Sequence, residues 1–313
     1  MSSETASSEQ KFVKQDLKIP SKIPGWNLDG WKYLPKNVGS SQSKGLPVIV
    51  MAHGVSANKL MGLAQYAEEF ASLGYGVVVF DYRRWGTSDG KPRHVVYVSE
   101  QLEDYRTVIK FVRQQPEFDP QRVVLWGTSF AGGHVVTLAS EKELNLTAVI
   151  SQCPYLGQVP VPPMSWGFAK TVLKGVADVL KQAAGLGPVY MPAAAQPGGV
   201  GLMTAPGSYE GLFGIVKQEG AYPNEVNASS LFEFPFYNPN ATGAKVACPV
   251  KVIAPKEDNL CPYNRVEELA RLSSQVEVHT VAGGHFEVYP GMPHHPESLA
   301  VMKEFLLQRV PPS

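Results

Sequence analysis

Cysteine is scarce in this sequence, with three in 313 residues: Cys153, Cys248 and Cys261. Their spacing fits neither a zinc site nor a C-x-x-C redox pair, and a sparse, odd count suits a reducing compartment. An excess of charge of one sign is missing too. Lys+Arg and Asp+Glu are both 28, so the formal net charge is zero. That removes the electrostatic footprint of a nucleic-acid binder, and neither nucleic acid nor an anionic membrane surface is expected as a partner. No apolar h-region opens the chain. Residues 1–10, MSSETASSEQ, read as a disordered tail and not as a secretion signal, so a cytoplasmic location is expected. A last absence is internal: Lys181 and Glu210 bracket a stretch with no charge at all. Pro188, Pro192, Pro197 and Pro206 interrupt it or border it, which argues against a membrane-spanning helix there.

What is present describes a folded chain. Apolar residues make up 44% and charged residues 18%, a balance typical of globular proteins and not of disordered ones. Residues 12–19 alternate, with Val13, Leu17 and Ile19 on one face, which predicts a half-buried strand near a sheet edge, partnered by residues 26–34. PVIVMAHG, 47–54, is a continuous apolar run ending in glycine and suits a fully buried parallel strand. Leu60, Leu63, Ala67 and Phe70 then carry a helical period closed by Gly74. A strand over 75–82, a helix over 99–114, a strand over 122–127, a helix from about 130 to 140 and a strand over 147–152 follow. The alternation resumes after 248 with strand PVKVIAP, a helix over 263–273, strand QVEVHTV and a helix over 297–309. Strand–helix alternation of this kind predicts an α/β fold: a mostly parallel sheet with helices on both faces. Residues 155–245 break the pattern. They are expected to be a lid or cap inserted into a core of 11–154 and 246–313, with an apolar face turned to a substrate pocket.

Gly127-Thr-Ser129-Phe-Ala131-Gly-Gly133 lies between an apolar strand and a helix, the context of a nucleophile elbow. Such a turn needs small residues two before and two after the serine, and Gly127 and Ala131 meet that demand. It lifts the Ser129 hydroxyl beyond the carboxyl end of the sheet and sets the Phe130 N–H at a helix start, where it can serve a developing oxyanion. The second donor is expected from Met51-Ala-His53-Gly54-Val55, at the Val55 N–H. A serine hydroxyl needs a general base. Of seven histidines, His285 in Gly283-Gly-His-Phe-Glu follows the last predicted strand, while His53 falls in the oxyanion loop and is read as orienting it. The base needs a carboxylate. Asp258 and Glu257 compete after strand VKVIA, and Asp258 is preferred because a short side chain beyond a strand end suits a fixed hydrogen bond. Ser129, Asp258 and His285 are thus the candidate catalytic residues, in the chain order of α/β-hydrolases. Tyr155, Trp166, Phe168 and Tyr190 are the candidate substrate-binding walls. No metal or organic cofactor is required.

The HG of 53–54, the loop Asp81-Tyr-Arg-Arg-Trp-Gly-Thr-Ser-Asp-Gly90, the Ser129 elbow, the Asp258 turn and GGHFE at 283–287 together resemble α/β-hydrolases over nearly the whole chain. The paired N-terminal strands, WGTSDGKPR at 85–93 and LMTAP at 202–206 are similar to the fungal polyketide-transferase group of serine acyltransferases and thioesterases. Ala131 departs from the glycine found there in many members, without threatening the elbow. The resemblance implies a serine hydrolase or acyltransferase acting on an ester or thioester of an apolar, polyketide-like acyl group through an acyl-serine intermediate, in secondary metabolism. The acyl group would arrive free or on an acyl carrier, and a homo-oligomer is left open. A lyase or cyclase using the His–Asp pair for proton transfer is the alternative. A non-catalytic binding protein has no need of all three residues.

Overall fold

The computed structural model describes residues 11–36, 45–160, 164–218 and 220–312; the expected N-terminal tail lies outside the described residues. Eight strands form one sheet: β1 (Phe12–Pro20), β2 (Asn27–Pro35), β3 (Leu46–Ala52), β4 (Gly76–Phe80), β5 (Phe118–Thr128), β6 (Ala148–Gln152), β9 (Val250–Pro255) and β10 (Val276–Val281). Their spatial order is β1-β2-β4-β3-β5-β6-β9-β10. β1 pairs antiparallel with β2, and β2 antiparallel with β4. From β4 to β10 every pairing is parallel. All residues of β3, β4 and β6 are buried, as expected of parallel strands covered on both faces. The edge strand β1 alternates weakly and stays mostly exposed.

The helices between strands bury the faces that their periodicity defines. α1 (Leu63–Ser72) buries Leu63, Tyr66, Ala67 and Phe70. It starts later than the sequence suggests: Leu60 stands exposed in the preceding turn, because Gly62 enters the left-handed region (φ 83°) as the helix N-cap. α2 (Val98–Val112) buries Leu102, Tyr105, Ile109 and Val112, with Glu100 in its first turn and Lys110 in its last, a charge order that suits the helix dipole. β5 is longer than the predicted 122–127 because its first residues extend back to Phe118, whose ring fills the space beside Gly76. α3 (Phe130–Ala139), α6 (Tyr263–Leu272) and α7 (His295–Arg309) complete the layers.

Between β6 and β9 the chain leaves the sheet. This segment holds α4 (Trp166–Ala183), α5 (Ser208–Gly214), the two-residue strands β7 (Tyr190–Met191) and β8 (Val226–Asn227), and 3-10 turns over Ala228–Phe236 and Pro239–Lys245. Asp178 of α4 is fully buried and organises it. Its carboxylate accepts the N–H of Val189 at 2.6 Å and of Ser229 at 2.8 Å, tying the helix to β7 and to the turn after β8. Among the described residues no helix is long and apolar enough to cross a membrane.

Candidate active site

The turn after β5 sets the geometry. Ser129 adopts φ 58° and ψ −118°, and α3 begins at the next residue. A non-glycine residue held there costs about 1–3 kcal/mol and persists only where its surroundings over-determine it. Here the Ser129 N–H donates to the Gln152 carbonyl at 2.8 Å, and its own carbonyl accepts the Tyr155 N–H at 2.9 Å. Gly127 is required by space: a Cβ there would lie 2.2 Å from the Ala131 carbonyl oxygen. Gly54 makes room on the other side, since a Cβ would lie 2.9 Å from the Ser129 Cβ. Gly54 is thus packed against the serine itself.

Ser129 Oγ lies 3.0 Å from His285 Nε2, and His285 Nδ1 lies 2.7 Å from Asp258 Oδ2. Both His285 and Asp258 are buried. Asp258 is fixed in turn, because its Oδ1 accepts the N–H groups of Leu260 and Cys261 at 2.9 and 2.7 Å. Glu257, its rival in the sequence, has another task. Its side chain accepts the Gly283 N–H and its own N–H donates to the Gly283 carbonyl, clamping the loop that carries His285. Burial disfavours the imidazolium of His285, but the Asp258 carboxylate overcomes that penalty and holds the imidazole well above the ordinary histidine range.

The other histidines are engaged elsewhere. His53 is buried, with Nδ1 2.9 Å from the Gly54 carbonyl and Nε2 3.7 Å from Asp81; burial pushes its pKa down. It therefore orients the loop that bears Val55. Asp81 also accepts from the buried Lys59, by its N–H at 2.6 Å and its ammonium at 2.7 Å. The loop after β4 is held further by Arg83 on Asp104 and Arg84 on Glu100. This makes the 81–90 motif a brace under the loop that bears Val55. Among the described residues, the N–H groups of Val55 and Phe130 donate to no backbone carbonyl, which leaves both free for an outside acceptor.

The cavity beside Ser129 is small, about 20 Å³, room for little more than one water. Its sheet side is formed by His53, Gly54, Val55, Thr128 and Ser129, and by Phe286 and Tyr289, which follow His285. Its outer side is closed by Met203, Leu212 and Ile215 from the segment between β6 and β9. None of the four aromatic residues predicted as walls lines it. Tyr155 is buried behind the elbow, its hydroxyl donating to the Phe234 carbonyl at 2.7 Å and its ring packed on Phe130. Tyr190 donates to the Arg93 carbonyl at 3.1 Å. Phe168 lies in the first turn of α4, its N–H capped by Ser165, and Trp166 is 84% exposed. Large aromatic side chains marked the segment as apolar without saying which way each residue faces; the residues it brings to the cavity are Met203, Leu212 and Ile215 instead. Phe286 and Tyr289 were within reach of sequence reasoning, because they stand one and four residues after His285.

Two thiols lie near the imidazole. Cys153 Sγ is 3.9 Å from His285 Nε2 and 3.4 Å from Thr128 Oγ1. Cys261 is buried, and burial pushes its thiol up to about 12, so it stays protonated and is a poor nucleophile. Asp258, Cys261 and His285 bring three possible metal-ligand atoms within 4.8 Å of one another. The carboxylate and imidazole of that set already satisfy each other.

Comparison with known proteins agrees with this architecture. The family model described as serine aminopeptidase, S33, matches residues 44–193. The chain is 36% identical over 247 residues to the quorum-quenching protein AidA of Acinetobacter baumannii, covering 78% of this chain and 81% of that one. It is 29% identical over 255 residues to the polyketide transferase ATR5 of Stachybotrys chlorohalonatus, covering 80% and 81%. The solved α/β hydrolase GrgF from Penicillium sp. sh18 superposes with a TM-score of 0.76 at 19% identity, over 95% of this chain and 99% of that one. Elbow, strand order and relatives together lead to one statement: the chain belongs to the α/β-hydrolases, in a serine hydrolase family whose members include proteins named fungal thiohydrolases and polyketide transferases.

Proposed function

We propose that this protein transfers an apolar, polyketide-like acyl group from an ester or thioester through an acyl-serine intermediate, with Ser129 as nucleophile, His285 as general base and Asp258 as its carboxylate partner. The observation that carries this reading is the continuous hydrogen-bonded series Ser129 Oγ–His285 Nε2 and His285 Nδ1–Asp258 Oδ2 at the floor of an apolar cavity. His285 takes the Ser129 proton as Oγ attacks the carbonyl carbon. The N–H groups of Val55 and Phe130 receive the negative charge that develops on the carbonyl oxygen. His285 then returns the proton to the leaving alcohol or thiol, and water or an acceptor alcohol discharges the acyl-enzyme. The aliphatic wall of Met203, Leu212 and Ile215 supports an apolar acyl group, as do relatives named for thiohydrolase and polyketide transferase activity.

The test is intact-protein mass spectrometry with aliphatic and polyketide-like acyl thioesters, with and without alcohols, on wild type and Ser129→Ala. An acyl adduct on wild type alone is expected; free acid then identifies a hydrolase and ester formation a transferase. No adduct and no product, with Ser129 still labelled by a fluorophosphonate, overturns the acyl-transfer reading in favour of proton-transfer chemistry on the same scaffold.

A further inference from the structure

α4 is amphipathic in the reverse of the usual sense. The side it turns inward carries Gly167, Thr171, Gly175 and Asp178, whereas Trp166, Leu173, Val176 and Leu180 stand exposed, at 84, 66, 43 and 64%. Of the fourteen large hydrophobic side chains exposed among the described residues, seven lie between positions 164 and 186. A helix ordinarily buries its large apolar side chains and exposes its small and polar ones. Concentration on one helix, with Met164 and Leu186 extending the face beyond its ends, distinguishes this from scattered surface leucines. An aromatic side chain alone carries about 150–250 Å². The face is therefore of the same order as the roughly 800 Å² per partner of a standard protein interface.

Charge identifies the occupant. The cations of the helix are Lys170, Lys174 and Lys181, and its single acid, Asp178, is fully buried in hydrogen bonds. Projected at about 100° per residue, the three lysines fall on one edge of the exposed face; Lys170 and Lys181 stand exposed there, Lys174 turns its ammonium back to the Tyr190 carbonyl, and no carboxylate of the helix accompanies them. A second copy docked antiparallel about a two-fold axis would bring both lysine edges to the same side, four exposed cations with no acid of either helix between them. A surface that is apolar in depth and anionic at its boundary satisfies every part of the face. The apolar side chains enter the acyl region and the lysine stems reach back to the headgroups.

We infer that the outer face of α4, with Trp166, Leu173, Val176 and Leu180 as its apolar contact and Lys170 and Lys181 at its edge, seats the protein on an anionic lipid bilayer surface. The zero net charge of the chain gives no hint of this, because an average over 313 residues hides a local single-signed patch. The contact is peripheral: α4 lies along the surface and does not cross it. It stands whether or not Ser129 acts as the nucleophile.

The test uses the full chain and large vesicles, of phosphatidylcholine alone or mixed with phosphatidylglycerol, read by co-sedimentation and tryptophan emission. Binding to the anionic vesicles with a blue shift is expected, and the blue shift should disappear in Trp166→Ser. Leu173→Gln with Leu180→Gln should weaken binding by about tenfold or more, and Lys170→Gln with Lys181→Gln by about 30-fold, on anionic vesicles only. All these positions are exposed, so unchanged thermal unfolding should accompany each variant. Absence of binding by the wild type to either vesicle overturns the inference. So does a dimer in sedimentation velocity that Leu173→Gln with Leu180→Gln dissociates, because the occupant is then a second copy.

Discussion

Ser129, Asp258 and His285 stand on turns beyond the ends of β5, β9 and β10, whereas Met203, Leu212 and Ile215 reach the same cavity from the segment between β6 and β9, which lies outside the large sheet. The first group inherits its position from strands of the one large sheet, β5 and β9 paired on both sides and β10 at the edge, and backbone hydrogen bonds fix its turns. In the second group Met203 is tied by backbone hydrogen bonds to Ala193 and Ala195, and Leu212 and Ile215 are carried by the seven-residue helix α5 and the turn after it. On the proposed reading, the difference teaches that chemistry falls to turns at the ends of the large sheet and selectivity to a segment outside it. Changes on the sheet side should abolish reaction, and changes on the outer side should alter what reacts.

The largest expected effect sharpens that contrast from the sheet side. Ser129→Ala should lower kcat by about 10⁵ or more on any substrate that the wild type turns over, with thermal unfolding unchanged. Asp258→Asn comes next, with a loss of about 10⁴ in kcat. Its pH profile carries a further sign. The carboxylate holds the His285 pKa up, and the base must be neutral to act. Removing the charge should therefore move the acid limb of kcat/KM to lower pH even as the plateau collapses. An acid limb that stays in place would break the assignment of Asp258 as the partner.

The outer wall should respond more gently. Leu212→Ala enlarges the cavity and should shift kcat/KM toward bulkier acyl groups by about tenfold, the order expected for a small change in a hydrophobic pocket. Fluorophosphonate labelling of Ser129 should persist. A loss of labelling as severe as that of Ser129→Ala would erase the distinction between the two walls.

The smallest effect at neutral pH, and a separate one in acid, belongs to His134 on α3. It is fully buried, with Nδ1 2.8 Å from the Tyr237 hydroxyl and Nε2 2.8 Å from Gln101 Oε1. Burial lowers its pKa to about 3 from 6.5. Below pH 6.5 the unfolded chain binds the proton that the folded one refuses. The stability that this site contributes is therefore complete above that pH and falls away toward pH 3, by on the order of 5 kcal/mol in all. His134→Gln retains a donor and an acceptor and should flatten the fall in unfolding temperature between those limits, measured by calorimetry across pH.

Much of this was legible in the sequence because strands and turns speak through local pattern. The buried run PVIVMA becomes β3, and Ser129, Asp258 and His285 each follow a strand that periodicity alone reveals. What could not be read was direction within the segment between β6 and β9. Periodicity reports that α4 has an apolar face, not whether that face meets the cavity, the sheet or the outside. Trp166 is the clearest case: its size suggested a wall, yet its helix turns inward on Gly167, Thr171 and Gly175 and leaves the indole outside. The aliphatic wall was equally hidden, since Leu212 and Ile215 belong to α5 and the turn after it, too short a stretch to carry a period.

The size of the cavity has a kinetic consequence. On the proposed reading, an acyl chain would not fit the cavity of about 20 Å³ beside Ser129, and a substrate would bind only those molecules in which Met203, Leu212 and Ile215 have moved away. Observed affinity is then intrinsic affinity multiplied by that fraction. A variant that merely loosens the contacts of Met203, Leu212 or Ile215 would look like a tighter binder without gaining a single new contact with its substrate.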